Sequence, residues 1–198
     1  MNHWIAFAYH TPDQLYRHYA GQLAESLRRF HVESDIEEIK PRESWVRNCA
    51  EKPLAILRAL DRHPLTDIAY LDADAQLWAR PDLFDTVTGD LAVHYLNGIE
   101  LVSAVMYWRN NDRARELCRR WGARQADQPD VWDQKVLQAV IAENPELAQV
   151  TRLPASYCYI RGLSPETEKP VIFQHQASRL AHKIAAGWTF DQAISTRR

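Results

Sequence analysis

Apolar positions along the chain change their period several times, and each change marks an element. Trp4 to Tyr9 is a short apolar run that leads into Thr11-Pro12-Asp13-Gln14, whose capping-box spacing and proline predict the first turn of a helix. In that helix Leu15, Tyr16, Tyr19, Leu23 and Leu27 share one face, while Asp13, Arg17, Glu25 and Arg28 fall opposite. Val32 to Ile39 predicts a second strand, closed by the Pro41-Arg42-Glu43-Ser44 break, and Trp45 to Ala50 and Pro53 to Leu60 predict two short helices. Ile68-Ala69-Tyr70-Leu71 is different, a continuous apolar run of strand length that predicts a strand covered on both faces.

Two further strands are predicted over 90–96 and 101–108, with Asn97-Gly98 as the turn between them. Ala114, Leu117, Cys118 and Trp121 then mark one face of a helix whose other face carries Arg113, Arg119, Arg120 and Arg124, a solvated basic face. Another helix is predicted from about Asp130, with Val136, Leu137, Val140 and Ile141 inward and Asn144-Pro145 as its stop. After a loop through Leu153-Pro154, Val171-Ile172-Phe173 predicts a last strand and Ser178 opens a terminal helix. Strands alternating with helices predict an α/β fold: one domain over 1–198, with a mixed, mostly parallel sheet flanked by helices and an antiparallel section around 90–108.

Composition narrows the class. A chain of 198 residues with 46% hydrophobic and 25% charged residues is ordinary globular material, which excludes disorder and fibrous architectures. A net charge of −2 gives no pull toward phosphate backbones, so nucleic acid is not an expected partner. Cys49, Cys118 and Cys158 form no C-x-x-C pattern and are expected to be reduced and buried. No leader pattern and no long apolar stretch is present, so the expectation is a cytoplasmic protein without membrane insertion.

The chemistry concentrates where the apolar run ends in acid, at Asp72-Ala73-Asp74. In open α/β sheets ligands collect outside the carboxyl ends of strands. An extended chain here would point both carboxylates to one side, with small Ala73 between them. Two close like charges raise one pKa unless a cation sits between them, and hard oxygen ligands suit Mg2+ or Mn2+ shared with a diphosphate. The structural alternative is that the pair caps a turn or is neutralised by Arg80.

Around this pair the chain resembles the nucleotide-diphospho-sugar transferases of the glycosyltransferase A-type fold. The resemblance runs through Tyr9-His10-Thr11-Pro12, Ser44-Trp45-Val46, Lys52-Pro53, Tyr70-Leu71-Asp72-Ala73-Asp74-Ala75, Pro81-Asp82-Leu83-Phe84, Pro129-Asp130-Val131-Trp132-Asp133-Gln134 and Phe173-Gln174-His175-Gln176-Ala177-Ser178-Arg179. It implies a single Rossmann-like domain in which Ala8, Tyr9 and Thr11 contact base and ribose. It further implies that Asp72 contacts ribose or metal, that Asp74 and His175 bind metal, and that Lys52 and Arg179 reach the diphosphate. Asp133 and Gln134 would form the catalytic pair, in acceptor or donor-sugar recognition and with a catalytic role open to Asp133, and His94 competes with His175 as a ligand. Ser103-Ala104-Val105 departs from the Ser-Gly-Thr-like segment common in relatives, which bears on the sugar accepted.

The resulting expectation is a metal-dependent glycosyltransferase that moves a sugar from a nucleotide-diphosphate donor to a hydroxyl acceptor. Two alternatives stand beside it. A haloacid dehalogenase-type phosphatase also places Asp-x-Asp after an apolar strand, although about seventy residues precede the pair here. The other is a nucleotide-sugar binding module without turnover.

Overall fold

In the computed structural model, which describes residues 2–195, the first helix is capped by Asp13 rather than by Thr11. The Thr11 hydroxyl donates to Asp13 Oδ2 at 2.6 Å, and Asp13 Oδ1 accepts from the Tyr16 amide at 3.0 Å. The threonine is thus spent on orienting a better cap. β1 (Trp4–His10) therefore feeds α1 (Gln14–Arg29) slightly later than the capping-box spacing suggests.

β2 (Ser34–Glu38) and β3 (Asp67–Leu71) run parallel to β1 on either side of it. Alternate residues of β1 and β3 supply two cores. Ile5, Phe7, Ile68 and Tyr70 pack with Ile56 and Leu60 of α3 (Lys52–Arg62), whereas Ala6, Ala8, Ala69 and Leu71 pack with Leu23 and Leu27 of α1. The unbroken apolar run of β3 follows from this burial on both faces.

β5 (Leu91–Leu96) and β6 (Glu100–Trp108) form the expected antiparallel hairpin. Its turn places Asn97 at φ 52° and Gly98 at φ 74°, the left-handed region that Asn-Gly tolerates best. β6 pairs antiparallel with β3, and β7 (Val150–Leu153) adds parallel to β5, giving the sheet order β2-β1-β3-β6-β5-β7. The stacked, buried rings of Trp108 and Trp121 join β6 to α4 (Asp112–Asp127) at a centroid distance of 6.0 Å. α5 (Asp133–Glu143) packs beside α4.

A second sheet, β4-β9-β8, consists of Ala75–Leu77, Ile172–Gln174 and Tyr159–Ile160. β4 is anchored to α1 because the Leu77 amide donates to the buried Ser26 hydroxyl oxygen at 3.1 Å. α2 (Trp45–Cys49) precedes α3, and α6 (Ala177–Ala185) and α7 (Phe190–Ser195) close the described chain. Among the described residues no helix is long and apolar enough to cross a membrane.

Candidate active site

Beyond the carboxyl ends of β1 and β3 lies a cavity of about 330 Å³ whose wall includes Tyr9, Thr11, Lys52, Asp72, Asp74 and Arg179. The chain is not extended across the acidic pair. It turns, with the Ala75 amide donating to the Asp72 carbonyl at 2.9 Å, because it must leave the first sheet to reach β4 in the second. The Asp72 amide still donates to the Ala104 carbonyl at 2.8 Å, and both aspartates border the cavity despite the turn.

Each carboxylate is held by one oxygen. Asp72 Oδ1 accepts from the Tyr70 hydroxyl at 2.8 Å and lies 3.1 Å from Lys52 Nζ. Asp74 Oδ2 accepts from the Ala177 amide at 2.6 Å, at the start of α6, where backbone amides favour negative charge. Burial, then the charge of Asp72, pushes the Asp74 pKa up to about 6. Arg80 bonds Asp82 and Asp85 instead, so it does not neutralise the pair.

Lys52 is almost wholly buried, and its ammonium is shared among Asp72, Asp133 Oδ2 at 3.0 Å and Ser103 Oγ at 3.0 Å. The Ser103 hydroxyl in turn donates to Asp133 Oδ2 at 2.6 Å. Burial alone would lower the Lys52 pKa, but the Asp133 and Asp72 carboxylates outweigh it and hold the pKa above the ordinary lysine value. Across the cavity mouth Trp45 and Trp132 meet edge to face at 6.2 Å. Arg47, bonded to Asp130 at 2.8 and 3.0 Å, ties together the two segments that carry these rings.

Asp72, Asp74, Trp132 and Gln174 of the cavity wall fall within residues 62–178, which match the family described as nucleotide-diphospho-sugar transferase. The chain belongs to that family. It is accordingly a glycosyltransferase of the nucleotide-diphospho-sugar class. No curated protein sequence matches it. Its fold is similar to that of a glycosyltransferase involved in the glycosylation of the major capsid of PBCV-1, with a TM-score of 0.72 at 14% identity, covering 93% of this chain and 99% of that one. It is also similar to the glycosyltransferase GlyE of Streptococcus pneumoniae TIGR4, with a TM-score of 0.59 at 15% identity, covering 87% of this chain and 54% of that one. Family membership removes the phosphatase alternative.

The transferase cavity gathers some of the residues singled out in the sequence and leaves others aside. Tyr9, Thr11, Lys52, Asp72, Asp74 and Arg179 border it, whereas Ala8, 1% exposed, faces the core beneath. Asp133 is buried behind Lys52, and the Gln134 amide donates to Glu100 Oε1 at 2.9 Å, so neither borders the cavity. The Asp133 carboxylate turns inward to meet a buried cation, and Gln134, next along the helix, points elsewhere. Lys52 departs from its expected diphosphate contact, since its three N–H donors already face Asp72, Asp133 and Ser103.

His175 also stands back from the wall: its Nε2 lies 3.0 Å from Gln76 Oε1 and its ring packs against Tyr19 and Phe173. His94 is buried on β5 with Nδ1 3.0 Å from the Leu153 carbonyl oxygen. Sequence reasoning gave no role to Tyr70, Trp45 or Trp132 and did not foresee the Ser103 contacts with Lys52 and Asp133. Tyr70 carried a usable signal, a hydroxyl two residues before the acid that follows its strand.

Proposed function

We propose that the chain transfers a glycosyl group from a nucleotide-diphosphate sugar to a hydroxyl acceptor, with Mn2+ or Mg2+ held by Asp72 and Asp74. The observation that carries this reading is the acidic pair on the cavity wall, where burial, then like charge, raises the Asp74 pKa. Each carboxylate keeps one oxygen uncommitted to another residue. Such a donor set fits an ion that completes its shell with phosphate oxygens and water. Among the described residues no cluster of three or more His, Cys, Asp or Glu side chains would hold an ion without such help.

When bound, the ion supplies positive charge to the departing diphosphate. The protein's own groups do the rest. Tyr9 and Thr11, which border the cavity, would contact base and ribose, and Arg179, which makes no ion pair among the described residues, has a guanidinium to offer the diphosphate. Lys52 and Tyr70 act as positioning residues that fix the Asp72 carboxylate. Asp133 is assigned the same kind of role, through Lys52, and Gln134 and Ala8 have no direct contact in this reading. The His175 Nε2 would join the metal only by exchanging its Gln76 contact for it. As the C–O bond between the anomeric carbon and the diphosphate breaks, its electron pair leaves with the nucleoside diphosphate, the acceptor oxygen bonds to the anomeric carbon, and the acceptor's proton passes to the departing diphosphate or to water.

The test is nucleoside-diphosphate release from UDP- and GDP-sugars with and without Mn2+, comparing wild type with Asp74→Ala. The reading expects metal-dependent binding and release in wild type and their loss in a folded variant. Retention of tight manganese-dependent donor binding by Asp74→Ala would sink the metal assignment.

A further inference from the structure

Gln174 ends β9, the central strand of the second sheet, and the residue borders the cavity. The residue is 4% exposed, yet neither its amide oxygen nor its amide nitrogen has a hydrogen-bond partner. The neighbours explain why. In the ladder Gln174 lies opposite Ala75 on one side and Ile160 on the other, and neither side chain has a polar atom to offer. The cavity wall also includes Ala73, Ala104 and Leu163, whose side chains carry no polar atom. Its chain neighbour Phe173 instead stacks on Trp78 and Tyr159.

A buried amide left unpaired costs stability, and an apolar side chain of the same shape would avoid that cost. The arrangement makes sense when a ligand completes it. An amide presents both a donor and an acceptor, so a phosphate oxygen, which only accepts, would satisfy its nitrogen and leave its oxygen unpaired. A hydroxyl both donates and accepts. Base and ribose fall to Tyr9 and Thr11 at the end of β1, which leaves the sugar as the part of the donor facing the second sheet.

We propose that Gln174 determines sugar specificity, reading a hydroxyl of the transferred sugar. This rests on the donor-site reading above. A site built to bond a hydroxyl discriminates strongly against a sugar lacking it or presenting it in the other configuration, because the buried amide is then left unpaired again.

The test uses Gln174→Met, which keeps length and removes both polar atoms. Ligand-free thermal melts should show the variant at least as stable as wild type. Calorimetry with Mn2+ should show UDP or GDP bound within about twofold of wild type, while the preferred nucleotide sugar binds roughly ten- to a hundredfold more weakly. Preference between sugar epimers should narrow in parallel. A clear fall in melting temperature would make the amide structural, and an equal loss for nucleotide and nucleotide sugar would place it at phosphate or ribose. Unchanged sugar binding and selectivity would overturn the proposal outright. Wild type binding no nucleotide at all would instead strike the donor-site reading, and this inference with it.

Discussion

Lys52 Nζ lies 3.0 Å from Asp133 Oδ2, with both side chains buried, so the first turn of α3 is joined to the first turn of α5 through a charge pair. Taking these charges out of water is costly, and the cost is offset only because Ser103 and Asp72 complete the network. The same lysine reaches the Asp72 carboxylate at the cavity wall, which couples the packing of two helices to the position of a functional acid.

Removing that cation should therefore cost more than a surface charge would. Lys52→Met leaves Asp133 buried without its counterion, and a loss of about 3 kcal/mol is expected in urea unfolding. Removing Asp133 as well, in Lys52→Met/Asp133→Leu, should recover part of it. A single variant within ~0.5 kcal/mol of wild type, the range of ordinary surface substitutions, would contradict the network.

The acidic pair makes a pH-dependent prediction. In the folded protein Asp74 has its pKa raised from 3.8 to about 6, so between those values the folded state holds more protons than the unfolded chain. Stability falls as pH rises through that window, and above it the penalty is complete at no more than ~3 kcal/mol. Asp74→Asn should accordingly raise the ligand-free melting temperature at pH 8, with the gain fading toward pH 4. An equal gain at both pH values would show that the charge is not its source.

Tyr70→Phe removes the 2.8 Å hydrogen bond to Asp72 Oδ1 and a hydroxyl contact with Tyr9, and keeps the ring in place. Burial, then Asp72, holds the tyrosine pKa well above its usual value, so the hydroxyl remains a donor at assay pH. With Asp72 partly exposed, a loss near 1 kcal/mol is expected, or about fivefold in metal-dependent nucleotide affinity by titration, with the fold intact. Unchanged affinity would mean that Lys52 alone orients Asp72.

How much of this was legible in the sequence depended on whether the signal was local. β3 stood out because four consecutive apolar residues are buried on both faces, and the 90–108 hairpin because Asn-Gly fits its left-handed turn. β4 and β8, three and two residues long, are too short to show a period, and β7 has a single buried residue. The turn at Asp72-Ala73-Asp74 follows from the chain crossing to a second sheet that the sequence did not announce. The site divided in the same way. Asp72 and Asp74 were visible because a strand end carries them, whereas the Lys52–Asp133–Ser103 contacts join distant segments and the empty hydrogen-bonding capacity of Gln174 exists only once its neighbours in the ladder are known.

The most direct test of the central claim is calorimetric titration of UDP and GDP into the wild-type protein, with and without Mn2+. The account predicts that one of them binds, and that it binds only with the metal present. Binding that is equally tight without metal would contradict the role given to Asp72 and Asp74, and no binding of either would contradict the donor site itself.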